Sequence, residues 1–378
     1  MITRRNFSLT ASVSVLGLAG CATATGNAPV ARVGAVLQEA MAGKALPGMA
    51  ALVIRDFSVE AEYCAGVRAL GSSAAIAPND RWHLGSDGKA MTATLIAKLV
   101  DAGAMRWETP LAEMLPNLAD TMKPAYRDVT LPDLLSHRAG LPENTDDMEF
   151  FFTFAVDAAP TPAQRLRYIA RCLQDEPVGP ARSEASYSNT GFLVAAACAE
   201  RATGRAYEDL IVAQVFDPLG IHSISFEQFG GANEPQGHVD GRIANQLNDV
   251  NPPMFAPAGA MRMNLPDWSR FCIDQMQGEH GRGRLLRTET YRFLHAPQDG
   301  VRAALGWGAA PHPLGLRGPA LTHSGSDGNW YALVCLFPET GNGALVVANA
   351  ADSMGGDEAS VAALRALAAT VAETYEES

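Results

Sequence analysis

Residues 82–89 read Trp82-His83-Leu84-Gly85-Ser86-Asp87-Gly88-Lys89, and an apolar run follows from Ala90 to Val100. Met91, Leu95 and Leu99 recur at helical spacing and Gly103 stands where a C-terminal stop belongs, which predicts a helix beginning at Ser86. At a helix start, residues three apart share a face, so the Lys89 amine stands beside the Ser86 hydroxyl. A serine hydroxyl is a weak nucleophile until a base takes its proton. The positive end of the helix would also favour negative charge developing on an attacked carbonyl. Of the four lysines only Lys89 has serine three positions earlier. Taken alone, the same residues also fit a capping serine followed by a solvated lysine.

Outward from this segment, apolar spacing over Val30 to Ala42 predicts a helix, and the run Gly48 to Ile54, closed by Arg55-Asp56, predicts a strand. From Arg106 to Ile221 helical signals dominate. Thr161-Pro162 opens one helix that runs over Leu166 to Leu173, and Thr190 to Thr203 is a second, ending at Gly204. Strand-like runs return at Ala304 to Trp307, Leu321 to Gly325, Trp330 to Phe337 and Gly343 to Ala348, with links short enough for antiparallel hairpins. A terminal helix over Glu358 to Tyr375 carries an apolar stripe for one sheet face. No internal repeat or low-complexity tract occurs.

Two further groupings give the Ser86 segment its meaning. Tyr187-Ser188-Asn189, just ahead of a helix, offers a phenol that relays a proton and an amide that holds a polar substrate edge. A turn whose Asn189 or Thr190 caps the next helix is compatible with that role. His323-Ser324-Gly325 lies in a strand-like run, where Gly325 lets a substrate lie against the backbone. The amides of Ser86 and Ser326 could then form an oxyanion hole. Singly, a strand glycine also marks a bulge, and a lone histidine is often structural.

In this order, Ser-x-x-Lys, Tyr-x-Asn and His-x-Gly resemble the pattern of the serine β-lactamase and penicillin-binding protein family. The flanking stretches Leu134-Leu135-Ser136-His137-Arg138-Ala139-Gly140-Leu141-Pro142 and His323-Ser324-Gly325-Ser326-Asp327-Gly328 resemble its class C β-lactamase and esterase branch, over about Val30 to Ala351. The resemblance implies an α+β fold: an antiparallel sheet flanked by helices, built from both chain ends (30–105 and 222–378), with an all-helical domain (106–221) inserted and the site in the cleft between. It implies Ser86, Lys89 and Tyr187 as catalytic residues, and Asn189, His323, Gly325 and Ser326 as the substrate-binding set. Gly88 departs from the pattern, since a threonine-like residue is common before the lysine. His323 stands where dedicated β-lactamases carry lysine; with an ordinary value near 6.5, its imidazole would meet a substrate carboxylate only as the pH falls toward 6. His137 reads as part of a structural loop fixed by Gly140 and Pro142.

The rest of the chain bounds these expectations. Its 378 residues are 47% hydrophobic and 19% charged, enough for a substantial core. A net charge of −12, with no basic run, argues against nucleic acid as a partner. Residues 1–20 read as an export signal: Arg4-Arg5 precede an apolar stretch in a twin-arginine-like pattern. Leu18-Ala19-Gly20-Cys21 resembles a lipobox that would put lipid on Cys21, although an ordinary cleaved signal also fits. Cys64, Cys172, Cys198, Cys272 and Cys335 lack metal-ligand spacing and read as buried thiols; no metal or cofactor is implied. No Gly-x-Ser-x-Gly elbow occurs. The expectation is an exported envelope or periplasmic serine hydrolase acting on carboxylic esters or small amides. A D-alanyl-D-alanine carboxypeptidase or β-lactamase is the alternative, and a non-catalytic envelope binding protein the more distant one. Its partner would be a small ester, amide or peptide, with membrane contact only through Cys21.

Overall fold

The computed structural model describes residues 28–227, 231, 233–245, 249–298 and 302–372, so the export segment, Arg4-Arg5 and Cys21 lie outside the described residues. In chain order the strands are β1 (Gly48–Arg55), β2 (Ser58–Gly66), β3 (Trp82–His83), β4 (His238–Val239), β5 (Arg242–Ile243), β6 (Arg262–Met263), β7 (Gly308–Ala310), β8 (Ala320–Ser326), β9 (Tyr331–Phe337) and β10 (Asn342–Ala348). Six of them form one antiparallel sheet in the order β2-β1-β10-β9-β8-β7, so the N-terminal hairpin is joined to the last strand through β1 and β10.

The helices are α1 (Ala28–Met41), α2 (Gly88–Asp101), α3 (Leu111–Met114), α4 (Leu131–Leu135), α5 (Met148–Thr153), α6 (Thr161–Cys172), α7 (Asn189–Thr203), α8 (Tyr207–Ile211), α9 (Asp217–Leu219), α10 (Leu265–Glu279), α11 (Thr288–His295) and α12 (Gly356–Ala368). Between 106 and 221 the described residues hold helices and turns but no strand. This is the expected α+β architecture.

Strand alternation sorts the core into two layers. Met49, Ala51, Val53, Cys335, Val346 and Ala348 face α1 and α12, whose Val33, Leu37, Leu364 and Leu367 cover them. Ala50, Leu52, Val334, Leu345 and Val347 face the other way, toward α2, α10 and the helical region. Each large aliphatic side chain removed from water in this way contributes about 1.5–3 kcal/mol. Helix α2 is buried on almost every side, with Lys89, Thr92 and Thr94 enclosed among its apolar residues. Within the helical region, the fully buried Arg165 of α6 pairs with Glu200 of α7 and, at 2.7 Å, with Glu208 next to Tyr207 on α8. Three helices are thereby held in one register.

The structure corrects some local expectations. Ala304 to Trp307 is a turn rather than a strand: Gly306 takes φ of 77°, the Ala304 amide donates to the Trp307 carbonyl at 2.8 Å, and the strand begins only at Gly308. The terminal helix ends at Ala368. Cys172, Cys198, Cys272 and Cys335 are buried as expected, but Cys64, on β2, is only half-buried; none of the five forms a disulfide.

Candidate active site

Ser86 sits in a single 3-10 turn, Gly85–Asp87, that leads into α2. β3 positions this turn, since Trp82 and His83 pair with Met263 and Arg262 of β6 and the Leu84 amide donates to the Met261 carbonyl at 2.9 Å. Gly85 has φ of 50°, and a Cβ on it would stand 2.3 Å from the amide nitrogen of Ser326. A Cβ on Gly325 would stand 2.0 Å from the Leu84 carbonyl oxygen and 2.8 Å from the Ser86 amide nitrogen. Two glycines thus let the start of α2 and strand β8 touch backbone to backbone, with the Ser86 and Ser326 amides at the contact.

Lys89 follows one turn on and is completely buried. Its Nζ lies 3.0 Å from Ser86 Oγ, 2.7 Å from Asn189 Oδ1 and 2.5 Å from the carbonyl oxygen of Ala258. A neutral amine has two N–H bonds and one lone pair. If Asn189 and Ala258 take the two hydrogens, the lone pair is directed at the Ser86 hydroxyl. Burial brings the Lys89 ammonium down to about 7, against the opposing attraction of Asp87 and Glu143.

The Tyr187 hydroxyl donates to Ser86 Oγ at 2.6 Å. Burial pushes its phenol up to about 12, while the bond to Ser86 pulls the other way, so it stays protonated where Lys89 does not. Tyr187 belongs to the segment entering α7. Ser188 caps that helix by accepting from the Gly191 amide at 3.2 Å and donates to the Pro142 carbonyl at 2.7 Å. Asn189 is the first residue of α7, and its Nδ2 donates to Asn144 Oδ1 at 3.1 Å.

His137 has the structural place expected of it, and the structure shows how that place serves Tyr187. At φ of 61° its ring lies over the Tyr187 ring, centroids 4.5 Å apart, while its Nδ1 accepts from the Ser188 amide at 3.0 Å. Burial and the nearby Lys89 lower its imidazole to about 3, so it is an uncharged spacer.

His323 departs from expectation. Burial, with Lys89 and His137 adding to it, lowers its imidazole to about 3, and its Nδ1 donates to the Ser324 carbonyl at 3.2 Å. Without substrate it is therefore neutral at pH 6, where the sequence alone predicts a growing imidazolium fraction. His323, Tyr187 and His137 line a cavity of about 650 Å³ together with Arg302, Trp307 and Thr322, and among the described residues no aspartate or glutamate lines it.

The structure therefore brings Ser86, Lys89, Tyr187 and Asn189 into direct contact and sets Gly325 and Ser326 against the serine turn, with His323 on the adjoining wall. Sequence reasoning missed Ala258, Asn144 and Arg302, for which no motif gave a signal. It also passed over Asp87, which stood inside the quoted segment.

The chain is similar to several known proteins. Over 177 residues the chain is 30% identical to Penicillin-binding protein 4 of Amycolatopsis lactamdurans, covering 47% of this chain and 44% of that protein. Over 208 residues it is 28% identical to the Unguisins hydrolase ungD' of Aspergillus campestris, covering 52% and 38%. The matches thus span less than half the length of each relative. The octameric penicillin-binding protein homologue from Pyrococcus abyssi shares the fold, with a TM-score of 0.72 over 88% of this chain and 76% of that one at 21% identity. A family profile described as Beta-lactamase matches residues 33–369. That match takes in nearly every described element, and the chain belongs to the β-lactamase family of serine hydrolases.

Proposed function

We propose that the chain hydrolyses carboxylic esters or small amides through an acyl-serine intermediate, with Ser86 as nucleophile and Lys89 as base. The observation that carries this is the double contact at Ser86 Oγ, with Lys89 Nζ at 3.0 Å and the Tyr187 hydroxyl at 2.6 Å. Lys89, near 7, takes the serine proton as Oγ bonds to the carbonyl carbon, and the resulting oxyanion is received by the amides of Ser86 and Ser326. As the bond to the leaving group breaks, Tyr187 gives that group its proton and is reprotonated from the Lys89 ammonium, which lies 4.9 Å from the centre of its ring. Water then enters by the same route in reverse and frees the acid. Asn189 holds Lys89, and neutral His323 presents Nε2 as an acceptor to the substrate.

A second reading, a D-alanyl-D-alanine carboxypeptidase or β-lactamase, is favoured by Arg302, a guanidinium in a cavity wall that holds no carboxylate among the described residues. The similarity to a protein named penicillin-binding points the same way. A purely binding role is disfavoured, because it has no physical need for a base buried against a serine hydroxyl. Turnover of a nitrophenyl ester, a chromogenic cephalosporin and a D-alanyl-D-alanine peptide by one purified sample separates these readings. A Ser86→Ala variant retaining wild-type turnover would sink all the catalytic ones. Export to the cell envelope with lipid on Cys21 belongs to the same proposal, and unchanged membrane association of Cys21→Ser would refute the lipid.

A further inference from the structure

Asp87 directly follows the serine and precedes Lys89 by two positions. Its side chain is 2% exposed, and neither carboxyl oxygen has a hydrogen-bond partner among the described residues. A buried ionised carboxylate normally recruits a bonded cation or several donors, and no other described residue donates to this one. Its place is specific. The point where a Cβ on Gly325 would stand lies 2.5 Å from Asp87 Oδ2 and 2.8 Å from the Ser86 amide nitrogen. The carboxyl is therefore wedged behind the backbone contact that carries the Ser86 and Ser326 amides.

We propose that Asp87 is a positioning residue, held as a neutral acid behind these amides, whose ionisation shuts the site down. The inference rests on the acyl-serine reading above. As a carboxylate, Asp87 would set a negative charge beside the position where the oxyanion forms, in surroundings too dry to screen it. As an acid it leaves that position free for the substrate oxygen.

The groups facing Asp87 agree with a neutral acid. Lys89 comes from the first turn of α2, the fully buried Cys272 from α10, and Tyr187 from the segment before α7. Glu143, His137 and His323 face Lys89 in turn. Burial raises the Asp87 carboxyl well above the usual carboxylate range, and the attraction of Lys89 and of its own amide only partly opposes this. When Asp87 and Lys89 share one proton, dry surroundings favour carboxylic acid with neutral amine, the form in which Lys89 can act as base. Tyr187, near 12, titrates too high to end activity at moderately alkaline pH.

The test is kcat/KM for a neutral nitrophenyl ester against pH, with the uncatalysed rate subtracted, for the wild type, Asp87→Asn and Asp87→Val. The wild type should lose activity on the alkaline side. Both variants should keep the acid limb and carry activity at least about one pH unit further into alkali. A wild type without an alkaline limb overturns the inference, as do variants whose limb coincides with it or whose loss is equal at every pH. Should neither variant fold, infrared spectra of the wild type decide: a carboxylic-acid band must disappear in step with the alkaline limb, and its absence overturns the inference. Fluorophosphonate labelling keeps the two levels apart. Label on Ser86 with unmoved limbs removes only the role of Asp87, whereas no label on Ser86 removes the acyl-serine reading and this inference with it.

Discussion

The side-chain oxygen of Asn189 lies 2.7 Å from Nζ of Lys89, joining residues a hundred positions apart. The other end of that amide is tied to Asn144, so its oxygen is kept pointing at the amine. Replacing Asn189 with aspartate would set a carboxylate against Lys89, favour the ammonium and weaken the base. The expected result is an acid limb of kcat/KM moved up by about one pH unit, with activity at pH 7 down about fivefold. An unmoved limb would detach Asn189 from Lys89.

The acid limb itself should lie near pH 7, because only neutral Lys89 accepts the serine proton and its ammonium is brought down to about 7. Below that, kcat/KM should fall about tenfold per pH unit, and Lys89→Met should lose about four orders of magnitude or more. Stability carries the same sign. Between about 7 and the ordinary 10.5, the unfolded chain holds a proton on this lysine that the folded chain does not, so the fold gains stability as pH rises through that window. Comparing the melting temperatures of wild type and Lys89→Met across pH 6 to 10 isolates this contribution; parallel curves would contradict it.

Gly325→Ala should damage both fold and chemistry, since its new Cβ would meet the Leu84 carbonyl at 2.0 Å. Separating β8 from the serine turn to relieve that clash would cost about 2–3 kcal/mol and displace the Ser326 amide. We expect a lowered melting temperature together with a fall in kcat of about a hundredfold. Full activity in a stable Gly325→Ala protein would show that the backbone contact is not needed.

Sequence reasoning succeeded where spacing or a stop residue carries the information. Ser86 and Lys89 declare themselves by their interval, α7 ends before Gly204 as expected, and the three C-terminal strands appear as apolar runs. It failed where the signal is tertiary. β2 is the exception, unread although Val59, Glu60, Ala61, Glu62 and Tyr63 alternate apolar and polar; the half-buried Glu62 has its carboxyl pushed up to about 7 by burial. Ala258 contributes only a carbonyl, which any residue could supply. The low value of the His323 imidazole comes from burial beside Lys89 and His137, which are distant in the chain.

That last shift moves the question of charge recognition from His323 to Arg302. A neutral imidazole at pH 5 to 8 cannot make the preference for carboxylate-bearing substrates vary with pH, so the ratio of kcat/KM between a D-alanyl peptide and a neutral ester should stay flat across that range. Arg302 lines the same cavity, and its side chain makes no hydrogen bond or ion pair with any described residue. A guanidinium keeps its charge at every working pH and suits the planar fork of a carboxylate. Arg302→Gln should therefore weaken kcat/KM for carboxylate-bearing substrates by about fivefold to tenfold, about 1 kcal/mol in a cavity open to water, and leave a neutral nitrophenyl ester nearly untouched. His323→Lys, by contrast, would put an ammonium where Lys89 and the other site groups already hold the imidazole uncharged, and should lower turnover of every substrate alike. Equal losses for charged and neutral substrates in Arg302→Gln would leave the cavity without a carboxylate partner and favour the plain esterase reading.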